Sequence, residues 1–134
     1  MCVFCDIVEG RAKAEIVFED ERTLAFLDIR PVFHGHVLLV PRAHHETLVD
    51  LPKALIAPLF ENAQTIARAV EVGLGADGTF VAMNNKVSQS VPHLHVHVVP
   101  RRLKDGLRGF FWPRTKYGDG EMTKVAQAIR GALA

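Results

Sequence analysis

His93-Leu94-His95-Val96-His97-Val98-Val99 alternates histidine with apolar residues, and this pattern determines the expected fold. Strict alternation over several residues predicts a β-strand with one buried face. Successive side chains of a strand point to opposite faces, so the three histidines share one face and neighbours lie roughly 6.6 Å apart. The leucine and the valines at positions 96 and 98 line the other face and enter the core. Three imidazoles in one small area offer nucleophilic and metal-binding nitrogens, so the strand predicts a chemical site.

The composition is typical of one globular domain spanning residues 1–134. Hydrophobic residues make up 49% of the chain and charged residues 23%, and the formal net charge is +1. These values favour neither a nucleic-acid partner nor a membrane partner, and no apolar run approaches the roughly 20 residues that span a bilayer. The first residues lack the charged-then-apolar order of a secretory signal, so we expect a cytoplasmic protein. Cys2 and Cys5 are then expected to be reduced.

Turn residues separate four further segments of strand character from one another. These segments are residues 16–18, 23–27, 36–40 and 80–83. The first two resemble a hairpin around the acidic stretch Glu19-Asp20-Glu21-Arg22, and Pro41 stops the third. Together with the histidine strand they predict a five-stranded antiparallel sheet.

Two stretches show helical periodicity, and residues 4–8 predict a short helical turn. Asp50 is a suitable N-cap for a long helix that runs to about Val72, although Pro58 predicts either a kink or a later start. The apolar face of this helix carries Leu55, Leu59, Ala63, Ile66 and Val70, and that of a C-terminal helix carries Met122, Val125, Ile129 and Leu133. Strands that follow one another, with one long and one C-terminal helix, predict an α+β domain whose helices pack on one face of the sheet.

A polar loop, residues 84–92, separates the fourth strand from the histidine strand. Asn84, Gln89 and Ser90 supply neutral donors and acceptors, and a turn at a strand end can direct backbone N–H groups at a phosphate. Beside three histidines this loop predicts a ligand contact, although a plain polar loop has the same composition. Asp28 ends an earlier strand, where its carboxylate can accept hydrogen bonds from a ribose or start a turn.

These residues together resemble the signature of the histidine triad (HIT) family of nucleotide hydrolases and transferases. The similarity follows family order and spacing through Phe4-Cys5-Asp6-Ile7-Val8, Ala25-Phe26-Leu27-Asp28-Ile29, His36-Val37-Leu38-Leu39-Val40-Pro41-Arg42 and Gln89-Ser90-Val91. The resemblance implies a HIT-like fold and a homodimer. Two features differ from the family pattern. Ser88 stands where glycine commonly precedes the glutamine, and residues 101–117 are unlike the short nucleoside phosphoramidases of the family.

The resemblance implies a reaction in which a histidine attacks the α-phosphorus of a nucleotide and forms a nucleotidyl-histidine. His95 matches the family nucleophile, His97 should contact the phosphate oxygens, and His36 should complete the cluster. His93 is a further candidate, as a proton shuttle. The implied substrate is a purine nucleoside phosphoramidate or, alternatively, a dinucleoside polyphosphate. A nucleotide sensor or adaptor without useful turnover is an alternative of another class.

The implied substrate contacts involve the ribose, the phosphate with its leaving group, and the base. The apolar residues of the implied base pocket can equally be plain core residues. The contacts are Asp28 with the ribose, Asn84, Gln89 and Ser90 with the phosphate and leaving group, and Phe4, Ile7, Phe26 and Ile29 with the base.

Cys2 and Cys5 form a Cys-x-x-Cys pair with three interpretations. A redox pair normally accompanies a thioredoxin-like βαβ pattern, which does not follow here, while two unliganded thiols remain an alternative. Half of a tetrahedral zinc site needs two more ligands. In zinc-bearing family members these are the first histidine of the motif, here His93, and a histidine after the third strand, here His44. The resemblance thus implies a structural Zn²⁺ that occupies His93, and no organic cofactor is expected.

A catalytic metal is a rival explanation of the histidine triplet. The outer two histidines of one strand lie roughly 13 Å apart, too far to share one ion. Two of the three could still hold an ion together with His36.

Residues 101–117 carry six basic side chains against a single acid, Asp105, and include Phe110-Phe111-Trp112-Pro113. One interpretation is that this apolar run packs into a core or a dimer contact. The other follows from position, since the segment leaves the histidine strand directly after Pro100. On that interpretation its arginines line the leaving-group side of the site and neutralise further phosphates.

Overall fold

The computed structural model describes residues 2–107 and 114–133 of the chain. Along the sequence, the helices and strands are α1 (Val3–Val8), β1 (Ile16–Glu19), β2 (Thr23–Leu27), β3 (Val37–Pro41), α2 (Lys53–Leu74), β4 (Gly78–Ala82), β5 (Val96–Arg101) and α3 (Glu121–Ala132). A 3₁₀ turn, Leu48–Asp50, precedes α2. No helix within these described residues is both long and apolar enough to cross a bilayer.

The five strands form one antiparallel sheet in the order β1-β2-β3-β5-β4, which confirms the predicted α+β class. β2 and β3 lie inside the sheet and bury nearly every side chain. β3 pairs with β5 so that Leu38 lies opposite His97. This pairing places the start of β3 beside the start of β5, where the functional side chains lie.

The two faces of the sheet are covered by different helices. α2 packs on one face, in a core that includes Leu59 and Ile66. α1 packs on the other face, where Phe4 lies 5.4 Å from Phe26 in an edge-on contact. α3 has no buried residue. The expectation that the helices pack on one face of the sheet is therefore wrong. Both faces carry apolar side chains, and each face is shielded from water by a different helix.

α2 begins at Lys53, three residues after the predicted cap. Asp50 instead caps the 3₁₀ turn, because its carboxylate accepts hydrogen bonds from the backbone N–H and the hydroxyl of Thr47. Pro58 is the sixth residue of the helix, so the helix starts before the proline and lacks the hydrogen bond that an N–H at this position would donate to the carbonyl oxygen of Ala54. The buried residues match the predicted apolar face and are Leu59, Ala63, Ile66 and Val70.

The histidine stretch is only partly a strand, because β5 begins at Val96. Before it, the N–H of Leu94 donates to the carbonyl oxygen of His45 at 2.7 Å rather than to a neighbouring strand. Leu94, Val96 and Val98 are completely buried against α2, as the alternation predicts. The chain can therefore turn the side chain of His93 away from those of the two later histidines.

The loop before the histidines contains a residue in the left-handed region of backbone conformation. Ser88 has φ 61°, and its carbonyl oxygen accepts a hydrogen bond from the side-chain amide of Asn84 at 3.2 Å. A side chain at such a φ crowds its own backbone, whereas glycine adopts it freely. This conformation is the physical reason why glycine suits the position.

We expect Ser88→Gly to be more stable than Ser88→Ala, because only glycine relieves the backbone strain. The difference in the free energy of unfolding should be about 0.5–1 kcal/mol, and the melting temperatures should differ by roughly 2–5 °C. Thermal denaturation of the two variants measures this. Equal melting temperatures would show that the loop carries no strain at this position.

Candidate active site

His95 is almost completely buried, with 3% of its surface exposed, between the rings of Phe4 and His97. Its Nδ1 lies 2.7 Å from the carbonyl oxygen of His93. A carbonyl oxygen only accepts hydrogen bonds, so Nδ1 carries the proton. The neutral ring then has its lone pair on Nε2. This arrangement presents a nucleophilic nitrogen in a fixed orientation.

His97 and His36 form a hydrogen-bonded pair, with 2.9 Å between Nδ1 of His97 and Nε2 of His36. Burial, together with the neighbouring His95 and His36 rings, lowers the pKa of His97 to about 4. Burial also lowers the pKa of His36, against the opposing effect of Asp28, whose Oδ2 lies 3.8 Å from Nε2. Both rings are therefore neutral at pH 7.

A cavity of about 360 Å³ opens beside His95 and His97. Among the residues predicted to bind substrate, six line it and two do not. The six are Phe4, Ile7, Phe26, Asp28, Ile29 and Ser90. The apolar ones belong both to the cavity wall and, for Phe4 and Phe26, to the core beneath it. The sequence leaves open whether these apolar residues form a base pocket or plain core, and for Phe4 and Phe26 the two interpretations are compatible.

Asn84 and Gln89 do not line the cavity, because their amides hold the loop together. The side chain of Gln89 accepts a hydrogen bond from the N–H of Lys86 at 2.8 Å and donates to the carbonyl oxygen of Glu46 at 2.6 Å. Asn84 donates to the carbonyl oxygen of Ser88. Both amides thus shape the loop that carries Ser90 to the cavity.

The cavity wall also contains residues that the sequence analysis does not single out. Lys13 and Arg30 are cationic, and Val91 and Leu38 are apolar. No motif marks Lys13, since it follows α1 in an irregular segment. Arg30 is detectable only through its position two residues after Asp28, in the loop that leads to β3.

Four potential metal ligands meet on the other side of α1. Cys2, Cys5, His44 and His93 have ligand atoms within 4.8 Å of one another. Nδ1 of His44 lies 3.6 and 3.2 Å from the two sulfurs, and Nδ1 of His93 lies 3.4 and 3.5 Å from them. These distances fit the edges of a zinc tetrahedron, which are about 3.3–3.8 Å for bonds of about 2.0–2.3 Å.

The ring of His93 is oriented for metal binding by the backbone. Its Nε2 lies 2.7 Å from the carbonyl oxygen of Pro41, so Nε2 carries the proton and Nδ1 faces the sulfurs with its lone pair. The ring is completely buried. His93 therefore does not point into the cavity, and a role as proton shuttle is inconsistent with this orientation.

A second group that could hold a cation consists of Asp28, His36 and His97. The 2.9 Å hydrogen bond between the two rings uses the nitrogens that would bind the ion. His95 does not belong to this group. Within the described part of the chain, the geometry thus favours a hydrogen-bonded histidine pair over the catalytic metal of the rival explanation.

The first part of the basic segment, residues 101–107, lies at the far end of β5. Arg101 pairs with Asp105, which lowers the pKa of that carboxyl, and Arg102 donates to the carbonyl oxygen of Leu74 at 2.6 Å. Residues 101–107 do not line the cavity beside His95. Arg108 and the run 110–113 lie outside the described residues. Arg101 and Arg102 therefore stabilise the loop after β5 rather than the leaving-group side of the site.

The fold and the site define a small domain with a histidine pair beside a cavity and a Cys₂His₂ cluster. Residues 9–104 match the family model of the HIT domain. A HIT-like protein of Mycobacterium tuberculosis is 43% identical over 138 residues, which cover 99% of this chain and 93% of that protein. The chain therefore belongs to the HIT family, which confirms the resemblance.

Solved structures agree with this assignment. The HIT family protein from Bacillus subtilis is 34% identical with a TM-score of 0.89, and the alignment covers 99% of this chain and 97% of that one. A Zn-bound histidine triad protein from Mycobacterium smegmatis is 41% identical with a TM-score of 0.76, covering 98% and 94%.

Two relatives are named for their activities. An adenylylsulfatase of Arabidopsis thaliana is 33% identical over 108 residues, which cover 79% of this chain and 55% of that protein. An adenosine 5'-monophosphoramidase of Candida albicans is 25% identical over 139 residues, with 99% and 91% covered.

We expect acid to destabilise the protein through His97. Below pH 6.5 the unfolded chain protonates this residue, whereas the folded protein does so only near pH 4, so the free energy of unfolding falls across this window. His97→Gln cannot take up this proton. Its melting temperature should therefore fall less steeply between pH 6.5 and pH 4 than that of the wild type.

The matched control is His34→Gln, at an exposed position outside the histidine pair. It should keep the steep wild-type dependence. Parallel curves for His97→Gln and the wild type would contradict the assignment of acid sensitivity to His97.

Proposed function

We propose that this protein is a nucleotide hydrolase or transferase that attacks the α-phosphate of a purine nucleoside phosphoramidate through His95. The observation that carries the proposal is the hydrogen bond from Nδ1–H of His95 to the carbonyl oxygen of His93. It leaves a lone pair on Nε2 of a ring that lines the cavity. A neutral imidazole in this state is an effective nucleophile near pH 7.

The proposed reaction has two displacement steps at phosphorus. In the first, the lone pair on Nε2 of His95 forms an N–P bond while the P–N bond to the leaving group breaks. The electron pair stays on the leaving amine, which takes a proton from solvent. In the second, water attacks phosphorus, the N–P bond to His95 breaks, and its electron pair returns to Nε2 as a proton is released.

The nucleotidyl-histidine between these steps carries a positive charge on its ring. The carbonyl oxygen of His93 faces Nδ1–H and stabilises that charge without any rearrangement. The carbonyl thus performs the role that a carboxylate performs beside other catalytic histidines. Phe4, in edge contact with the ring at 5.0 Å, restricts it to this orientation.

The cavity supports a nucleoside monophosphate as the part of the substrate that is recognised. Its volume of about 360 Å³ lies within the usual range of small-molecule sites. Phe4, Ile7 and Phe26 offer apolar contacts to a base, Asp28 offers a carboxylate to the ribose, and Lys13 offers a cation to the phosphate. The two relatives named for activities act, by those names, on adenylyl compounds with small leaving groups, which supports the same substrate class.

A dinucleoside polyphosphate is the alternative substrate. It would need cations beyond the α-phosphate, and the described arginines at positions 101 and 102 are already bonded at the far end of β5. The phosphoramidate therefore has more support. A sensor or adaptor that binds nucleotides without turnover would not need the lone pair that the structure leaves on Nε2 of His95. Measurement of turnover distinguishes this alternative from the enzyme.

We further propose that Cys2, Cys5, His44 and His93 hold one structural Zn²⁺. The fit of their distances to a tetrahedron and the Zn-bound relative support this. Bound zinc would supply a cross-link between the start of α1 and the start of the histidine stretch. α1 contributes Val3, Phe4 and Ile7 to the cavity, so the cross-link would keep that wall in place.

The resemblance also implies a homodimer, which we retain as part of the proposal. Among the described strands, β1 and β4 form the two edges of the sheet, and a second copy could pair with either edge.

His95→Asn should abolish turnover and keep the fold. Asparagine retains an amide donor for the carbonyl oxygen of His93 but has no nucleophilic nitrogen, so the rate should fall by about 10³-fold or more. The measurement is turnover of adenosine and guanosine phosphoramidates beside dinucleoside polyphosphates, together with intact mass of the quenched enzyme. The wild type should show one added nucleotidyl group, and the variant none.

Turnover of the variant within about tenfold of the wild type would rule out His95 as the nucleophile. Tight nucleotide binding by the wild type without product or labelled protein would favour the sensor alternative. Faster cleavage of the polyphosphates would favour the second substrate class.

Purified protein should contain about one zinc per chain. His44→Asn should lose the metal, whereas His45→Asn, the adjacent control, should keep it, because His45 does not belong to the Cys₂His₂ cluster and bonds to Leu94 through its backbone carbonyl. Replacing both cysteines with serine should lower the melting temperature more than it lowers turnover. Elemental analysis checks the metal content, and wild-type protein without zinc after preparation free of chelators would contradict the assignment.

A further inference from the structure

The loop between β2 and β3, residues 28–36, is closed by its own backbone. The N–H of Asp28 donates to the carbonyl oxygen of His36 at 2.9 Å, and the N–H of His36 donates to that of Phe33 at 3.1 Å. Gly35 has φ 102°, a backbone conformation that favours glycine, and an added Cβ there would meet the end of the Leu74 side chain in α2. The closed loop brings one particular amide to the ring of His36.

That amide belongs to Val32, whose N–H points to Nδ1 of His36 at 3.1 Å. An amide N–H can only donate, so Nδ1 of His36 must accept. A nitrogen that accepts carries no proton. The ring is therefore neutral, with its single proton on Nε2.

The proton on Nε2 of His36 determines the state of the next ring. Nε2 lies 2.9 Å from Nδ1 of His97, so His36 donates and His97 accepts. The proton of the neutral His97 ring is then on its own Nε2. Since His97 lines the cavity, it offers an N–H rather than a lone pair.

We propose that the backbone amide of Val32 is a positioning group that, through His36, keeps His97 in the Nε2–H tautomer as a neutral hydrogen-bond donor to a phosphate oxygen. The tautomer follows from the protein alone, while its role rests on the function proposed above. No proton leaves His97 in this role, because loss of the Nε2 proton from a neutral ring would create an imidazolate. His97 thus stabilises charge on phosphate oxygens and is not an acid catalyst.

The reverse tautomers are disfavoured at both ends of the pair. They would place an N–H of His36 against the N–H of Val32, and a lone pair of His97 against an anionic phosphate. Asp28 adds to the preference, since its Oδ2 lies 3.8 Å from Nε2 of His36 and attracts a proton there. The other ring near His97 is His95, which makes its own hydrogen bond to a backbone carbonyl.

The tautomers can be measured directly by long-range ¹H–¹⁵N NMR of the histidine side chains in the full-length, zinc-loaded protein at pH 7. Wild-type protein should show Nε2–H for both His36 and His97, and Nδ1–H for His95. Finding Nδ1–H on His97, or a charged His36, would overturn the proposal. This measurement needs no substrate, so it remains decisive even if the proposed function is wrong.

Val32→Pro removes the amide proton, and Val32→Ala is the matched control that keeps it. The proline variant should show mixed tautomers of His36 and His97, whereas the alanine variant should show those of the wild type. With phosphoramidate substrate, kcat of the proline variant should fall by about 10–100-fold with little change in KM, because a donor to the phosphate matters most in the transition state. Unchanged tautomers in the proline variant would overturn the role of the amide.

Two variants of His36 keep the test valid if proline at position 32 prevents folding. His36→Gln can still donate from its side-chain amide to Nδ1 of His97, and His36→Leu cannot. We expect Nε2–H on His97 in the glutamine variant and a mixture in the leucine variant, with kcat higher in the former. Identical His97 tautomers in the two variants would show that His36 does not control His97. A wild-type protein that shows the expected tautomers but does not turn over the phosphoramidate would instead count against the proposed function.

Discussion

Backbone groups select the tautomer of three histidines, His93, His95 and His36. A neutral imidazole has one donor and one acceptor nitrogen, so a fixed partner at one nitrogen decides the other. Carbonyl oxygens face His95 and His93, and an amide N–H faces His36. These three backbone contacts leave a lone pair on Nε2 of His95 and on Nδ1 of His93, and they place the proton of His36 on the nitrogen beside the ring of His97. Burial strengthens this control, because a buried polar atom without a partner costs free energy.

His93 connects the two halves of the site. Its ring faces the sulfurs of Cys2 and Cys5, while its carbonyl oxygen accepts the proton of His95. Phe4 lies between Cys2 and Cys5 in the sequence, and its ring contacts the rings of His93 and His95 edge-on. The Cys₂His₂ cluster and the proposed nucleophile therefore both contact His93 and α1. A change in the position of Cys2 or Cys5 would move α1, and α1 itself forms part of the cavity wall.

The residue pattern predicts those features that depend on local periodicity. The alternation at Leu94, Val96 and Val98 identifies the core face of the histidine stretch, and the spacing from Leu59 to Val70 identifies the buried face of α2. It does not predict that β5 starts at Val96, because the bond from Leu94 to His45 joins residues distant in sequence. For the same reason, Asp50 is a plausible helix cap in sequence but caps a separate turn.

The sequence by itself determined the class of fold, the family, and the chemical types present: nucleophilic imidazoles, a thiol pair and a polar loop. It could do so because side-chain chemistry and periodicity are local properties. Only the tertiary structure decided which histidine faces which partner. It turned His93 to the cysteines, joined Gln89 to the carbonyl oxygen of Glu46, and placed the amide of Val32 on His36. The first two outcomes depend on contacts between segments far apart in the chain, whose directions exist only once the sheet has brought those segments together. The third depends on how the loop between β2 and β3 closes on itself, which the residue pattern of that loop does not specify.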